Sequence, residues 1–100
     1  TEPERALMNL GLAYFRKRDF QAAKAKLSES IRLKRNVCLS QTLYGRTLLE
    51  LGEWNEAATT LDNAVAICDK ADPDEPQYFS GISYYKLGQT EKAVARMEEV

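Results

Sequence analysis

The sequence has no histidine, only two cysteines, three prolines, five glycines and a single tryptophan in 100 residues. Without histidine, both the commonest general base and the commonest metal ligand are missing. Cys38 and Cys68 are the only thiols, and they form neither a CxxC pair nor any zinc-ligand spacing. In a chain rich in Leu and Ala they read as two small apolar residues in a reducing compartment, which favours the cytoplasm. A bridge between them stays open as the alternative. No apolar run approaches the ~20 residues needed to cross a bilayer, so no membrane association is expected. Charge of one sign is lacking too: 14 Lys and Arg against 15 Asp and Glu leave a net −1. That argues against a uniformly basic nucleic-acid binder or an acidic tail. No Gly-rich phosphate loop and no GxSxG elbow occur. The chain is therefore expected to be no enzyme, with no catalytic residues, metal or cofactor. Beginning at Thr1 without a charged-then-apolar leader, it reads as a processed or excised piece.

What is present is ordinary for a folded chain: 44% hydrophobic and 29% charged residues. The glycines carry the first specific signal. Gly11 and Gly45 are 34 residues apart, Gly45 and Gly81 are 36 apart, and Gly52 and Gly88 are also 36 apart. Spacing of this length points to an internal repeat. Ala23, Ala57 and Ala93 each follow a glycine by 12 residues, and Leu27, Leu61 and Met97 follow those alanines by four. Between these marks the apolar residues recur every three or four positions. Leu7, Leu10 and Tyr14, then Phe20, Ala23, Leu27 and Ile31 form one such pair of runs. Each unit thus reads as two helices of about a dozen residues joined by a tight turn. Gly52 and Gly88 suit the left-handed residue that closes a helix, and Asp19 suits an N-cap. The stretches Thr1-Glu2-Pro3-Glu4 and Asp74-Glu75-Pro76-Gln77 read as capping boxes.

These marks, above all Leu10-Gly11-Leu12-Ala13-Tyr14 with Ala23 and Leu27, resemble the tetratricopeptide repeat, whose unit is 34 residues long. The resemblance divides the chain into repeats at about 4–37, 38–71 and 74–100, the last truncated. It implies an all-α fold, a right-handed α-solenoid of three helix-turn-helix repeats. The glycine at the eighth place and the alanine at the twentieth are expected to face each other where two helices cross. Some positions depart from the family pattern. Leu7, Gln41 and Gln77 stand where a large aromatic is usual, Ser80 replaces a Leu, and Arg35 and Asp69 replace the closing Pro. Lys70-Ala71-Asp72-Pro73 lengthens the second junction by two residues.

The resemblance also implies a concave groove lined by the first helix of each pair. Its expected members are Met8, Leu12, Phe15, Arg46, Tyr78, Ile82 and Tyr85. Leu39, Leu43, Leu49 and Phe79 are expected to pack between helices instead. The family's carboxylate clamp for chaperone tails needs Lys, Asn and Arg, but its places hold Met8, Leu12, Leu43, Glu75 and Phe79. The expected function is therefore a protein-interaction scaffold that receives an apolar helix or extended peptide. The alternative is a structural segment that associates with its own kind. Residues 1–50 carry ten cations and five anions, and residues 51–100 carry four cations and ten anions. Basic and acidic ends of two copies could then meet head to tail.

Overall fold

A computed structural model describes residues 2–68 and 74–100. Six helices follow one another: α1 (Pro3–Arg16), α2 (Phe20–Leu33), α3 (Cys38–Glu50), α4 (Trp54–Ile67), α5 (Asp74–Lys86) and α6 (Thr90–Glu98). No strand occurs among the described residues. α1 packs on α2, α3 on α4 and α5 on α6, and the pairs stack through α2 on α3 and α4 on α5. The result is an all-α helical-repeat solenoid of 43 × 28 × 19 Å.

The three tight turns share one construction. At the end of α1, Arg18 N donates to Phe15 O (3.0 Å) and Asp19 N to Tyr14 O (2.9 Å). Gly52 and Glu53 repeat the pair on Leu49 and Leu48, and Gly88 and Gln89 repeat it on Tyr85 and Tyr84. This double closure needs one left-handed residue. Gly52 and Gly88 supply it at φ 78° and 79°, as expected, and in the first turn Arg18 is held there at φ 64°. Asp19 caps α2 by accepting from Ala22 N at 3.3 Å.

The helix starts differ from those the capping boxes imply. The N-cap of α1 is Glu2, which makes no side-chain cap bond, and Pro3 is the first helical residue. α5 begins at Asp74 itself, one place earlier than a box headed by Asp74 requires. Thr1, Asp69 and the lengthened junction at Lys70-Ala71-Asp72-Pro73 lie outside the described residues.

The atoms nearest each glycine at a helix crossing belong to a large residue and not to the alanine. A Cβ added to Gly11 would fall 2.5 Å from Leu27 Cγ, and one added to Gly45 the same distance from Leu61 Cγ. On Gly81 it would meet Met97 at 3.0 Å. So each glycine admits the large residue four positions after the alanine. Ala23 and Ala57 are fully buried beside these contacts. Two apolar clusters result: Ala23, Leu27 and Leu43, and Leu48, Ala57 and Leu61. Tyr44 packs against both.

Cys38 and Cys68 correct a further expectation. They are joined in a disulfide, with Cα atoms 5.0 Å apart. The bond ties the first residue of α3 to the residue that ends α4, which brings together both outer ends of one helix pair. The reading of two free thiols fails, and with it the argument from free thiols for a reducing compartment.

Two departures from the repeat pattern, Gln41 and Gln77, are polar anchors. Gln41 is buried and donates to Arg35 O at 2.8 Å. Gln77 is buried and donates to Arg96 O at 3.3 Å and Glu99 Oε2 at 3.2 Å. A phenyl ring at either place could pack but could not donate such a bond.

Candidate functional site

α1, α3 and α5 lie side by side and form one face of the stack. At its centre the Arg46 guanidinium sits between two phenyl rings, 4.9 Å from the centroid of Phe15 on α1 and 4.6 Å from that of Phe79 on α5. Phe15 meets Phe20 edge to face at 5.3 Å, and Phe79 meets Tyr78 the same way at 5.1 Å. Rings and guanidinium therefore form an unbroken row, Phe20–Phe15–Arg46–Phe79–Tyr78. Each ring contact contributes about 0.5–1 kcal/mol where water still reaches it. Arg46 Nη1 also donates to Glu75 Oε1 at 3.1 Å. Both side chains of that pair are substantially exposed, so the ion pair adds little. The rings do more than the carboxylate to hold Arg46.

The expected groove residues do not share one setting. Phe15 and Arg46 meet in the row. Tyr78 and Ile82 join Leu49, Trp54, Phe79 and Lys86 around a cleft of about 450 Å³. Met8 packs on the first core cluster and borders a recess of about 150 Å³ shared with Arg5, Val37 and Leu39. Leu12 packs half-buried on the first core cluster. Tyr85 stands clear of these hollows at 66% exposure, and Tyr78 is 45% exposed. Of the residues expected between helices, Leu43 is buried, and Leu49 and Phe79 are half-buried against the second cluster. Leu39 is not, at 47% exposure. Trp54, at the start of α4, is a member the sequence reading missed. Its position just after the turn at Gly52 was the available signal.

A second feature the sequence reading missed holds α5 in place. Asp62 on α4 accepts from Ser80 Oγ (2.5 Å), Tyr84 Oη (2.6 Å), and Arg96 Nε and Nη2 (3.1 and 3.2 Å). Burial pushes the Asp62 carboxyl up, but the bonds from Arg96, Ser80 and Tyr84 outweigh it and hold it below the ordinary carboxylate range. The hydrogen bond to Asp62 raises the Tyr84 phenol, and burial adds to it. Ser80, the odd residue in the repeat pattern, is thus the α5 end of a link joining α4, α5 and α6. On the other side of the stack, Lys24 Nζ reaches Glu53 at 2.8 Å, and that bond raises its pKa against the opposing effect of burial.

No described helix is long and apolar enough to cross a membrane. Comparison with known proteins places these features. Residues 1–64 match the family model described as Anaphase-promoting complex, cyclosome, subunit 3. Residues 80–100 match the one described as Tetratricopeptide repeat. No curated protein matches the chain. Among solved structures it is similar to the N-terminal domain of stress-induced protein-1 (STI-1) from C. elegans. That likeness has a TM-score of 0.86 over 96% of this chain and 80% of the other, at 19% identity. At such low identity it is a likeness of fold.

Proposed function

Because the chain belongs to the tetratricopeptide-repeat family, and over residues 1–64 to the family described as subunit 3 of the anaphase-promoting complex, or cyclosome, we propose that it works as a protein-interaction module. The fold generally mediates contact between proteins. In this reading the face of α1, α3 and α5 receives an apolar helix or extended segment of a partner. Met8, Leu12, Phe15, Arg46, Tyr78, Ile82 and Tyr85 are the contact set, joined by Trp54. The observation that carries the reading is the exposure of two tyrosine rings on α5: Tyr78, which lines the aromatic cleft, and Tyr85, which stands clear of it. Tyrosine gives large contact area at little entropy cost, and such rings dominate binding energy where they become buried.

The same reading makes the module non-catalytic and gives it no clamp for a chaperone's terminal carboxylate. Of the clamp places, Leu43 is buried in the core and Glu75 carries the charge of the ligand it would have to hold. Nucleic acid is a poor partner in this reading, because Arg46 is the one cation in the contact set, too few to hold a phosphate backbone. The alternative function, self-association, draws support from the unequal charge of the two halves.

The double variant Tyr78→Ala/Tyr85→Ala separates the two. The module reading expects loss of partner capture in pull-down, with molar mass by light scattering unchanged. An altered mass with capture retained supports self-association and overturns the groove.

A further inference from the structure

α2 and α4 make no close backbone contact with each other. Both pack on α3, and a cleft of about 580 Å³ lies between them. Tyr44 of α3 lines it; Arg46, two residues on, points to the opposite side of the helix, toward the aromatic row. The cleft is therefore separate from the groove discussed above.

Its lining is one-sided in charge. Arg32 and Arg35 are the only charged residues on it. Like most of the described cations, neither forms an ion pair with a described residue, so both guanidiniums remain open to a ligand. Asn36, Asn63 and Thr60 add polar side chains that likewise make no hydrogen bond among the described residues. The buried Gln41 holds the backbone of Arg35 at 2.8 Å and so fixes that residue at the cleft. Ile31, Ala66 and Ile67 supply an apolar wall. Arg32 also lies in the last turn of α2, where a cation meets the negative end of the helix. That accounts for neither Arg35, beyond the helix, nor Asn63, on α4.

Two guanidiniums, two amides and a hydroxyl around one cleft call for an anion with several acceptor oxygens. A phosphate monoester carries about −1.5 to −2 at pH 7 and has three such oxygens, which matches two arginines better than a single carboxylate does. The apolar wall calls for a carbon body on the ester. We propose that this cleft binds a small organic phosphate, its phosphate on Arg32 and Arg35 and its body against Ile31, Ala66 and Ile67.

The test is an amide NMR titration of the whole chain at constant ionic strength, with phenyl phosphate as probe and inorganic phosphate and benzoate as comparisons. Phenyl phosphate is expected to shift Asn36, Gln41, Asn63 and Ile67 selectively. It should bind about tenfold more tightly than inorganic phosphate, the value of burying roughly 50 Å² of apolar surface. Arg32→Gln/Arg35→Gln should weaken it by about tenfold or more. Asn63→Asp keeps both arginines and should also weaken it, by placing an anion in the cleft. Tyr78→Ala/Tyr85→Ala should leave it unchanged. Shifts spread over Arg16, Lys17 and the other basic residues, equal binding of all three probes, or full binding by both cleft variants would each overturn the assignment.

Discussion

Gly45→Ala adds one carbon, and its consequence can be worked from the packing around α3. The new Cβ would lie 2.5 Å from both Cγ and Cδ2 of Leu61, where carbon atoms prefer ~3.5–4.0 Å. About 1 Å of separation must come from a fully buried leucine whose branch carbon is itself in the clash. That sets the cost near the top of the overpacking range, about 3 kcal/mol. Alanine in a helix interior returns about 1 kcal/mol over glycine. The net loss is about 2 kcal/mol, roughly 10 °C in Tm for a domain of this size. Gly81→Ala is the internal control at the same place in the third helix pair. Its Cβ meets Met97 Cε at 3.0 Å, with Cγ and Sδ at 3.1 Å, and an unbranched thioether can swing away. There the helical gain offsets the crowding, and stability should stay within about 0.5 kcal/mol of the parent. Thermal and urea unfolding followed by circular dichroism on the oxidised protein measures both. In the double variant Gly45→Ala/Leu61→Ala the losses should fall short of additivity by about 1 kcal/mol or more. If Gly45→Ala unfolds no earlier than the parent, or Gly81→Ala loses as much, close approach is not what selects glycine here.

The disulfide closes a loop across a separation of 30 residues. Chain entropy then puts the cost of Cys38→Ser/Cys68→Ser at about 3–4 kcal/mol, read from urea unfolding; an unmoved curve would refute the bridge. Asp62 is held below its ordinary pKa, so its stabilising share is complete above the unfolded value of ~3.9 and fades as pH falls through the folded one. Asp62→Asn should cost about 1–2 kcal/mol at pH 7, and its unfolding should lack that part of the parent's loss in acid. Arg18→Gly relieves a left-handed arginine and should gain about 0.5–1 kcal/mol, after loss of the exposed contact with Phe20 at 5.3 Å. A lower Tm in that variant would show that the contact outweighs the strain.

The repeat was legible because a helix crossing this close tolerates little beyond glycine, and a five-glycine chain displays the spacing openly. The partner of each glycine was not legible. Register fixes which positions cross, but only the side-chain path decides that Leu61, not Ala57, fills the space above Gly45. The Arg18 turn escaped notice because the bonds that Arg18 N and Asp19 N donate to Phe15 O and Tyr14 O impose its conformation, whatever residue stands there. The disulfide escaped because a gap of 30 residues says nothing of a 5.0 Å approach between the two ends of a hairpin. At the groove, one-dimensional positions put Phe15 and Arg46 on the same face, and their 4.9 Å contact became visible only in three dimensions. Those positions could not show that Leu39 would stay exposed, or that Trp54 would reach the cleft from the neighbouring helix. Asp62 went unread because its partners lie 18, 22 and 34 residues away.

The bridge between Cys38 and Cys68 also has a mechanical meaning. A chain pulled by its two ends normally pays out its full contour as it unravels. Here the tension passes from one sulfur to the other, and the hairpin between them carries no load. Up to about 100 Å of backbone, at ~3.4 Å per residue, stays hidden from the pull. The oxidised stack therefore stretches less than its length implies, and a reductant sets its reach.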